Sequence, residues 1–406
     1  MWIRIRIWAI VYPNRKALLI DYLRGCRILA SLPQIIFLNQ FINHTILGLT
    51  MKKITFLFCI VFFGLFSCKT SSPPSLHELF EEPIPLKASI IDIPSLRLGN
   101  PFSLDLLDTL LIINDWYPDE NLQMEYFTLL DVKNKAVIRR FGKEGKGPNE
   151  ILQPLSAQLN KNTGLFTTFL AGNQSIVSVS MDSLMLAGNF IGDKINMLNH
   201  GLFTRGIRVD GKDVVYVGIG LFDNAKYRIL DASGKNIVAD LGKIYNQSNE
   251  DYNNAILGMV FQGRLKPHPH EEKFVYCSTA NDLIEIVDLK KGIIAARFES
   301  YYPKFRVENG QAAFEKDNDN GYCDVAVTKK YIYCLFSGRS VDEYGGQALK
   351  ANNIFVFDWE LNPVTSYLLD CDVQAIAVSE DDSYLYSSSI IDDEFELIKF
   401  EMIKRL

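Results

Sequence analysis

Catalytic signatures are missing from this chain. It has no GxSxG nucleophile elbow, no HExxH helix and no repeated SxDxGxTW box, so nothing marks nucleophilic, zinc-peptidase or sialidase chemistry. Histidine is scarce, five in 406 residues. His268 and His270 flank a proline with no third ligand apparent, so a turn between strands is the better reading than a metal pair. Cys277, Cys323, Cys334 and Cys371 form no CxxC pair, which excludes a zinc ribbon or thioredoxin motif. Helical periodicity is absent downstream of Pro83.

What the chain does have is one phrase written six times: FTLLDVKNKAVIRRFG (127–142), SIVSVSMDSLMLAGNF (175–190), YRILDASGKNIVADLG (227–242), IEIVDLKKGIIAARF (284–298), IFVFDWELNPVTSYLL (354–369) and a truncated FELIKFEMIKRL (395–406). Each is an alternating strand, a polar turn near Asp131, Asp182, Asp231, Asp288, Asp358 or Glu401, and a second alternating strand. Self-similarity at about 40–50 residues in strands alone is the pattern of propeller blades. An all-β, six-bladed β-propeller over 84–406 is expected.

Two further strands precede each phrase, for example Phe102–Leu106 with Leu110–Asn114, and Asp324–Val327 with Tyr331–Phe336. The last blade has only Met402–Leu406 for its outer strand, while Leu86–Ile93 has no place in blade 1. That segment is expected to pair with the last blade and close the ring, since an open ring leaves exposed sheet edges. Loop lengths divide the two faces. Turns between first and second, and third and fourth, strands are short throughout. The opposite face holds every long connection: 142–154, 191–205, 243–263, 300–322 and 337–353. Binding residues concentrate on long loops of a rigid scaffold, so function is expected on this crossing-loop face.

The N-terminal region carries an address. Lys52 and Lys53 followed by apolar Ile54–Phe66 read as a signal peptide (51–67), too short for the roughly 20 residues of a membrane span. Leu65-Phe66-Ser67-Cys68 reads as a lipobox with Cys68 as the acylated residue; an ordinary secretory signal with an incidental cysteine is the alternative. Residues 68–83 are a tether. Residues 1–50, with five Arg and one Lys against Asp21, are expected to be upstream sequence preceding a start at Met51, the alternative being a membrane-associated extension. From Cys68 onward, 34 basic residues face 47 acidic ones, a net charge of −13 that disfavours nucleic-acid binding.

Candidate ligand residues fall on the long loops. The run Arg139–Glu150 holds Arg140, Lys143, Lys146 and Glu150. Its glycines suggest a phosphate cradle, but Pro148 and a strand follow where a P-loop needs a helix, so a Gly-dependent crossing is the stronger reading. Tyr252, Tyr302, Arg306, Arg339 and Tyr344 suit a carbohydrate or peptide surface. Asp317–Gly321 resembles half a calcium loop with its glycine one residue early. Cys323 and Cys334 flank a hairpin turned at 328–331, open to a disulfide or to two buried small side chains.

The lipobox, the closing strand, six blades and the run from Arg140 to Glu150, which fits Arg-Phe-Gly-x-x-Gly-x-Gly-Pro-x-Glu, together resemble the TolB-like six-bladed propeller lipoproteins of Gram-negative envelopes. The resemblance covers 68–406 and implies architecture and address, since the family has no assigned reaction. Lys69–Ser72 lacks an acidic export run, which favours a periplasm-facing outer-membrane anchor over surface display. The expected function is a lipid-anchored, non-enzymatic binding module for a protein or glycan, with no cofactor. The alternative is a calcium-dependent, lactonase-like hydrolase using Glu150, Asp324 and Asp372 in the central channel.

Overall fold

The computed structural model describes residues 76–403 except 119–123, 148–149, 161, 187–191, 245, 247–249 and 298–299. Residues 1–50, the signal segment 51–67 and Cys68 lie outside the described residues.

A single 3-10 turn at Leu76–Leu79 is followed by two short strands, β1 (Ile84–Leu86) and β2 (Ala88–Ile90). Blade 1 follows as β3 (Pro101–Leu107), β4 (Leu110–Pro118), β5 (Met124–Asp131) and β6 (Ala136–Lys143). Blade 2 is β7 (Gln158–Asn160), β8 (Leu165–Leu170), β9 (Ser175–Ser180) and β10 (Asp193–Asn196). Blade 3 is β11 (Leu202–Val209), β12 (Val215–Leu221), β13 (Tyr227–Leu230) and β14 (Ile237–Leu241). Blade 4 is β15 (Gly263–Pro267), β16 (Lys273–Ser278), β17 (Ile284–Asp288) and β18 (Gly292–Arg297). A separate hairpin, β19 (Phe305–Glu308) with β20 (Gln311–Phe314), precedes blade 5. Blade 5 comprises β21 (Tyr322–Val327), β22 (Tyr331–Phe336), β23 (Ala351–Asp358) and β24 (Pro363–Val373); blade 6 has β25 (Ile376–Val378), β26 (Tyr384–Ile391) and β27 (Glu394–Glu401).

Each interface between neighbouring blades holds one apolar cluster. Phe127 and Phe141 meet Phe166 between blades 1 and 2; Val275 and Ile286 meet Val325 and Phe357 between blades 4 and 5. The middle strands are covered on both faces, so β8 and β22 are buried along nearly their whole length and read as apolar runs. Outer strands such as β14 and β18 keep exposed positions.

The recurring aspartate has a structural cause. Asp131 Oδ1 accepts from the backbone N–H groups of Lys133 and Asn134, both at 3.0 Å. Asp288 Oδ1 accepts from Lys290 and Lys291 at 2.9 Å, and Asp358 Oδ1 from Glu360 at 2.9 Å and Asn362 at 2.8 Å. Asp231 accepts from Ser233 Oγ at 2.8 Å and Lys235 N at 3.1 Å. Each carboxylate thus closes the turn between third and fourth strands by pairing amides that the turn leaves open. These bonds hold the Asp231 carboxyl well down, at about 2, with Asn236 the largest cause.

Blade 2 departs from the repeat. Asp182 lies in the first turn of a short helix, α1 (Met181–Met185), whose N-cap Ser180 accepts from Ser183 N. The described outer strand is Asp193–Asn196, and this helix occupies the positions where the second strand of the phrase is expected to start. Two more short helices, α2 (Asn254–Val260) and α3 (Val341–Tyr344), sit in the long crossings.

Closure follows the sequence expectation and adds to it. β2 pairs antiparallel with β27, Ala88 opposite Phe400 and Ile90 opposite Ile398, and is the outermost strand of blade 6. β1 pairs parallel with β24 and gives blade 5 a fifth strand. The phrase near Glu401 has no turn there: Glu401 ends β27, and the fourth strand comes from the N-terminus.

Candidate functional site

The six inner strands β3, β7, β11, β15, β21 and β25 line the channel. Their first residues lie at the crossing-loop face and their last at the short-turn face. Polar side chains on these strands form two layers.

The layer near the short turns is internally paired. Lys266 Nζ, from blade 4, lies 3.3 Å from Asp105 Oδ2 of blade 1 and donates to the Ala157 carbonyl of blade 2 at 3.2 Å. Blades 1 and 4 are opposite in a ring of six, so this ion pair crosses the channel. Asp105 also accepts from Leu159 N at 2.9 Å. Arg208 pairs with Asp210 at 2.8 Å, and Asn160 Nδ2 donates to the same carboxylate at 2.6 Å. A depression of about 830 Å³, counting solvent in its mouth, opens here between Asp105, Asn160, Lys266 and His268. Its rim is knitted together, with Asn162 Nδ2 donating to the Pro269 carbonyl at 2.8 Å.

His268 belongs to that scaffold. Its Nδ1 accepts from His270 N at 3.0 Å and Glu271 N at 2.9 Å, and its ring meets Trp359 edge-on at 4.5 Å. Burial pushes its pKa down to about 4, so at neutral pH the imidazole is an uncharged turn cap.

The layer near the crossing loops differs. Arg205 (blade 3), Arg264 (blade 4) and Asp324 (blade 5) stand on adjoining inner strands, β11, β15 and β21, near their crossing-loop ends. Arg264 Nε donates to the Cys323 carbonyl at 2.7 Å, and Arg205 Nη1 to the Thr204 carbonyl at 2.9 Å. Neither guanidinium has a carboxylate within ion-pairing distance among the described residues. Arg205 Nε is buried without a partner. Burial, then repulsion from Arg264, lowers the Arg205 pKa to about 9 against the pull of Asp324. Asp324 is itself buried and accepts from Ile376 N at 3.0 Å; burial raises its pKa.

Residues expected from sequence fall into three groups on the crossing-loop face. In the first, Gly145 N donates to the Ile151 carbonyl at 3.1 Å, Ile151 N to the Lys143 carbonyl at 2.9 Å, and Gly147 N to Glu150 Oε2 at 2.7 Å. A Cβ on Gly145, at φ +155°, would stand 1.9 Å from that same oxygen. The run is therefore a closed crossing built around the Glu150 carboxylate. Lys143 and Lys146 stay exposed, while Arg140 Nη2 donates to the Arg97 carbonyl.

In the second group, the Tyr252 ring lies tilted against Phe305 at 5.0 Å and Tyr302 against Phe261 at 5.8 Å, and Arg306 on β19 pairs with Glu308 at 2.6 Å and Glu315 at 3.1 Å. In the third, Arg339 makes a bidentate pair with Asp372 at 2.7 and 2.8 Å and lies 5.3 Å from the Tyr344 ring. Sequence reasoning missed Arg205, Arg264 and Trp116, which is 45% exposed at the crossing-loop end of β4. Charged residues at inner-strand positions, where alternation calls for apolar ones, were the available signal.

The calcium set does not converge. Asp372 is engaged by Arg339, Asp324 by Ile376 N and Glu150 by Gly147 N. Among the described residues no three His, Cys, Asp or Glu side chains form a cluster fit for a metal ion. The 317–321 segment is a turn in which Asn318 Oδ1 accepts from Lys304 N at 2.8 Å and Asn320 N donates to the Arg339 carbonyl at 2.9 Å. The Cys323–Cys334 bridge is not formed either. Cys334 lies opposite Val325 and turns into the blade 4–5 core, 3.9 Å from Cys277 Sγ, and all four cysteines are free.

The description of the TolB-like 6-blade propeller-like family matches residues 79–381. The chain belongs to that family. Among solved structures, a Bacteroides fragilis protein described as exported is similar at 11% identity, over 79% of this chain and 96% of that one, with a TM-score of 0.50. A member of the DUF4221 family from Bacteroides vulgatus is similar at 10% identity, over 79% and 97%, with a TM-score of 0.48. At 11% identity the first likeness speaks to the fold alone. No curated protein matches the sequence.

Proposed function

We propose that this TolB-like propeller is an exported, lipid-anchored envelope protein that binds a protein or glycan partner, without catalysis, on its crossing-loop face. The observation that carries the reading is the contrast between the two ends of the channel. At the short-turn end, polar groups satisfy one another and Lys266–Asp105 spans the opening. At the crossing-loop end, Arg205 and Arg264 lack a carboxylate pair and Trp116 and Tyr344 are exposed, on the face where α2, α3 and the β19–β20 hairpin are added. The description of the Bacteroides fragilis relative as exported supports the compartment. The lipobox at Cys68 supports the anchor.

The anchor is tested by palmitate labelling in the native host. Wild-type protein is expected to take up label and partition with membranes; Cys68→Ser is expected to lose both. Label retained in that variant would overturn the anchor. The non-catalytic reading is tested by calcium titration with thermal readout, where a flat midpoint is expected. A large upward shift abolished by Asp324→Ala would restore the hydrolase alternative.

A further inference from the structure

We propose that the crossing-loop mouth of the channel is a binding site for a monocarboxylate group, held between Arg205 and Arg264. The inference rests on the reading of this face as the working face and deepens it by naming the ligand chemistry.

Three observations converge. Arg205 and Arg264 each make a single hydrogen bond to a main-chain carbonyl, which leaves most of ten guanidinium N–H donors without a protein partner. Arg205 Nε is shut off from solvent yet unpaired, an arrangement that costs stability unless a further acceptor arrives. Both residues retain partial exposure, so the mouth is reachable.

Charge selects the anion. Arg339 is neutralised by its bidentate contact with Asp372, and Lys266, the other cation within reach of Asp324, by Asp105, leaving two guanidiniums against the single carboxyl of Asp324. An excess of one positive charge matches a monoanion. A phosphate dianion would overcompensate and stand beside Asp324. Planar guanidiniums offer paired N–H groups that match the two oxygens of a carboxylate. The β-bulge between Phe203 and Arg205 explains the position of Arg205, because it inserts Thr204 and re-aims the side chain that follows.

This gives an unusual signature for a charged side chain whose Nε is shut off from water. If Arg205 were structural, removing it would lower stability. As a ligand residue left unpaired, it can be replaced by glutamine with no loss of the unliganded thermal midpoint.

The experiment titrates the full chain at fixed ionic strength with N-acetylglycine and with glucuronate, which represent a peptide terminus and a sugar acid. N-acetylglycinamide and inorganic phosphate are the controls. At least one carboxylate is expected to raise the thermal midpoint saturably, with the uncharged amide inert and phosphate weaker. Arg205→Gln and Arg264→Gln, tested separately, should each weaken that binding roughly tenfold or more, the loss of one charge-assisted contact. No saturable shift with either carboxylate would overturn the proposal, as would phosphate binding more tightly, or full binding retained in both variants. Cross-links to an envelope partner that persist while carboxylate binding fails would sink this inference and leave the binding platform standing.

Discussion

Deleting residues 84–94 is expected to leave no cooperatively folded propeller. The segment has two jobs. β1 adds to blade 5 through three residue pairs, and β2 is the missing fourth strand of blade 6 through three more. Ile84 and Leu86 are buried in the cluster between blades 5 and 6, while Ile91 and Ile93 fill the one between blades 6 and 1. Burying four such side chains contributes roughly 6–12 kcal/mol before any backbone pairing is counted. That is comparable with the whole net stability of a typical domain, about 5–15 kcal/mol. The loss would also expose the edge of β27 and invite aggregation. A single Leu86→Ala change should cost about 2–5 kcal/mol, read as a lowered denaturation midpoint. A deletion variant that melts where the parent does would show that the ring closes by other means.

The second large effect is expected at the boundary of blades 3 and 4. Lys226 Nζ lies 2.7 Å from Glu285 Oε2, with side chains only 3% and 9% exposed. The ammonium sits 3.8 Å from the centre of the Tyr276 ring, and the Tyr227 hydroxyl donates to the same carboxylate oxygen. Glu285→Ala would strand a buried cation and leave a buried hydroxyl without its acceptor. Loss of about 3–5 kcal/mol is expected, measured by chemical denaturation. Replacing both partners, Lys226→Met with Glu285→Leu, should recover most of it, because the desolvation of two charges disappears with them. Equal damage from the single and double variants would mean that the pair itself, and not the stranded charge, matters.

The architecture was legible because blade strands obey local rules. Alternation in β5, the turn-forming Asp131 and Asp358, and glycines at crossings each leave a mark within a few residues of where they act. Blade 2 was misread because Ser180 caps a helix, and a cap can be told from a turn only when the next strand is known to lie elsewhere. The site was less legible. Lys143, Lys146 and Tyr344 could be placed on the crossing-loop face because they stand on long loops. Arg205 and Arg264 were missed because their meaning depends on three blades meeting around one channel. Glu150 was found for the wrong reason: its carboxylate builds the crossing that the Gly-x-Gly-Pro-x-Glu pattern encodes.

The claim that the crossing-loop face is the working face is tested most directly by cross-linking the lipoprotein in its native envelope and mapping the linked lysines. Lys143, Lys146, Lys243 and Lys304 are exposed on that face; Lys133, Lys212, Lys291 and Lys329 are exposed at the short turns and serve as an internal control. Links to one recurrent partner concentrated in the first set are the expected result. Links concentrated in the second set would contradict the account and move the binding site to the opposite mouth of the channel.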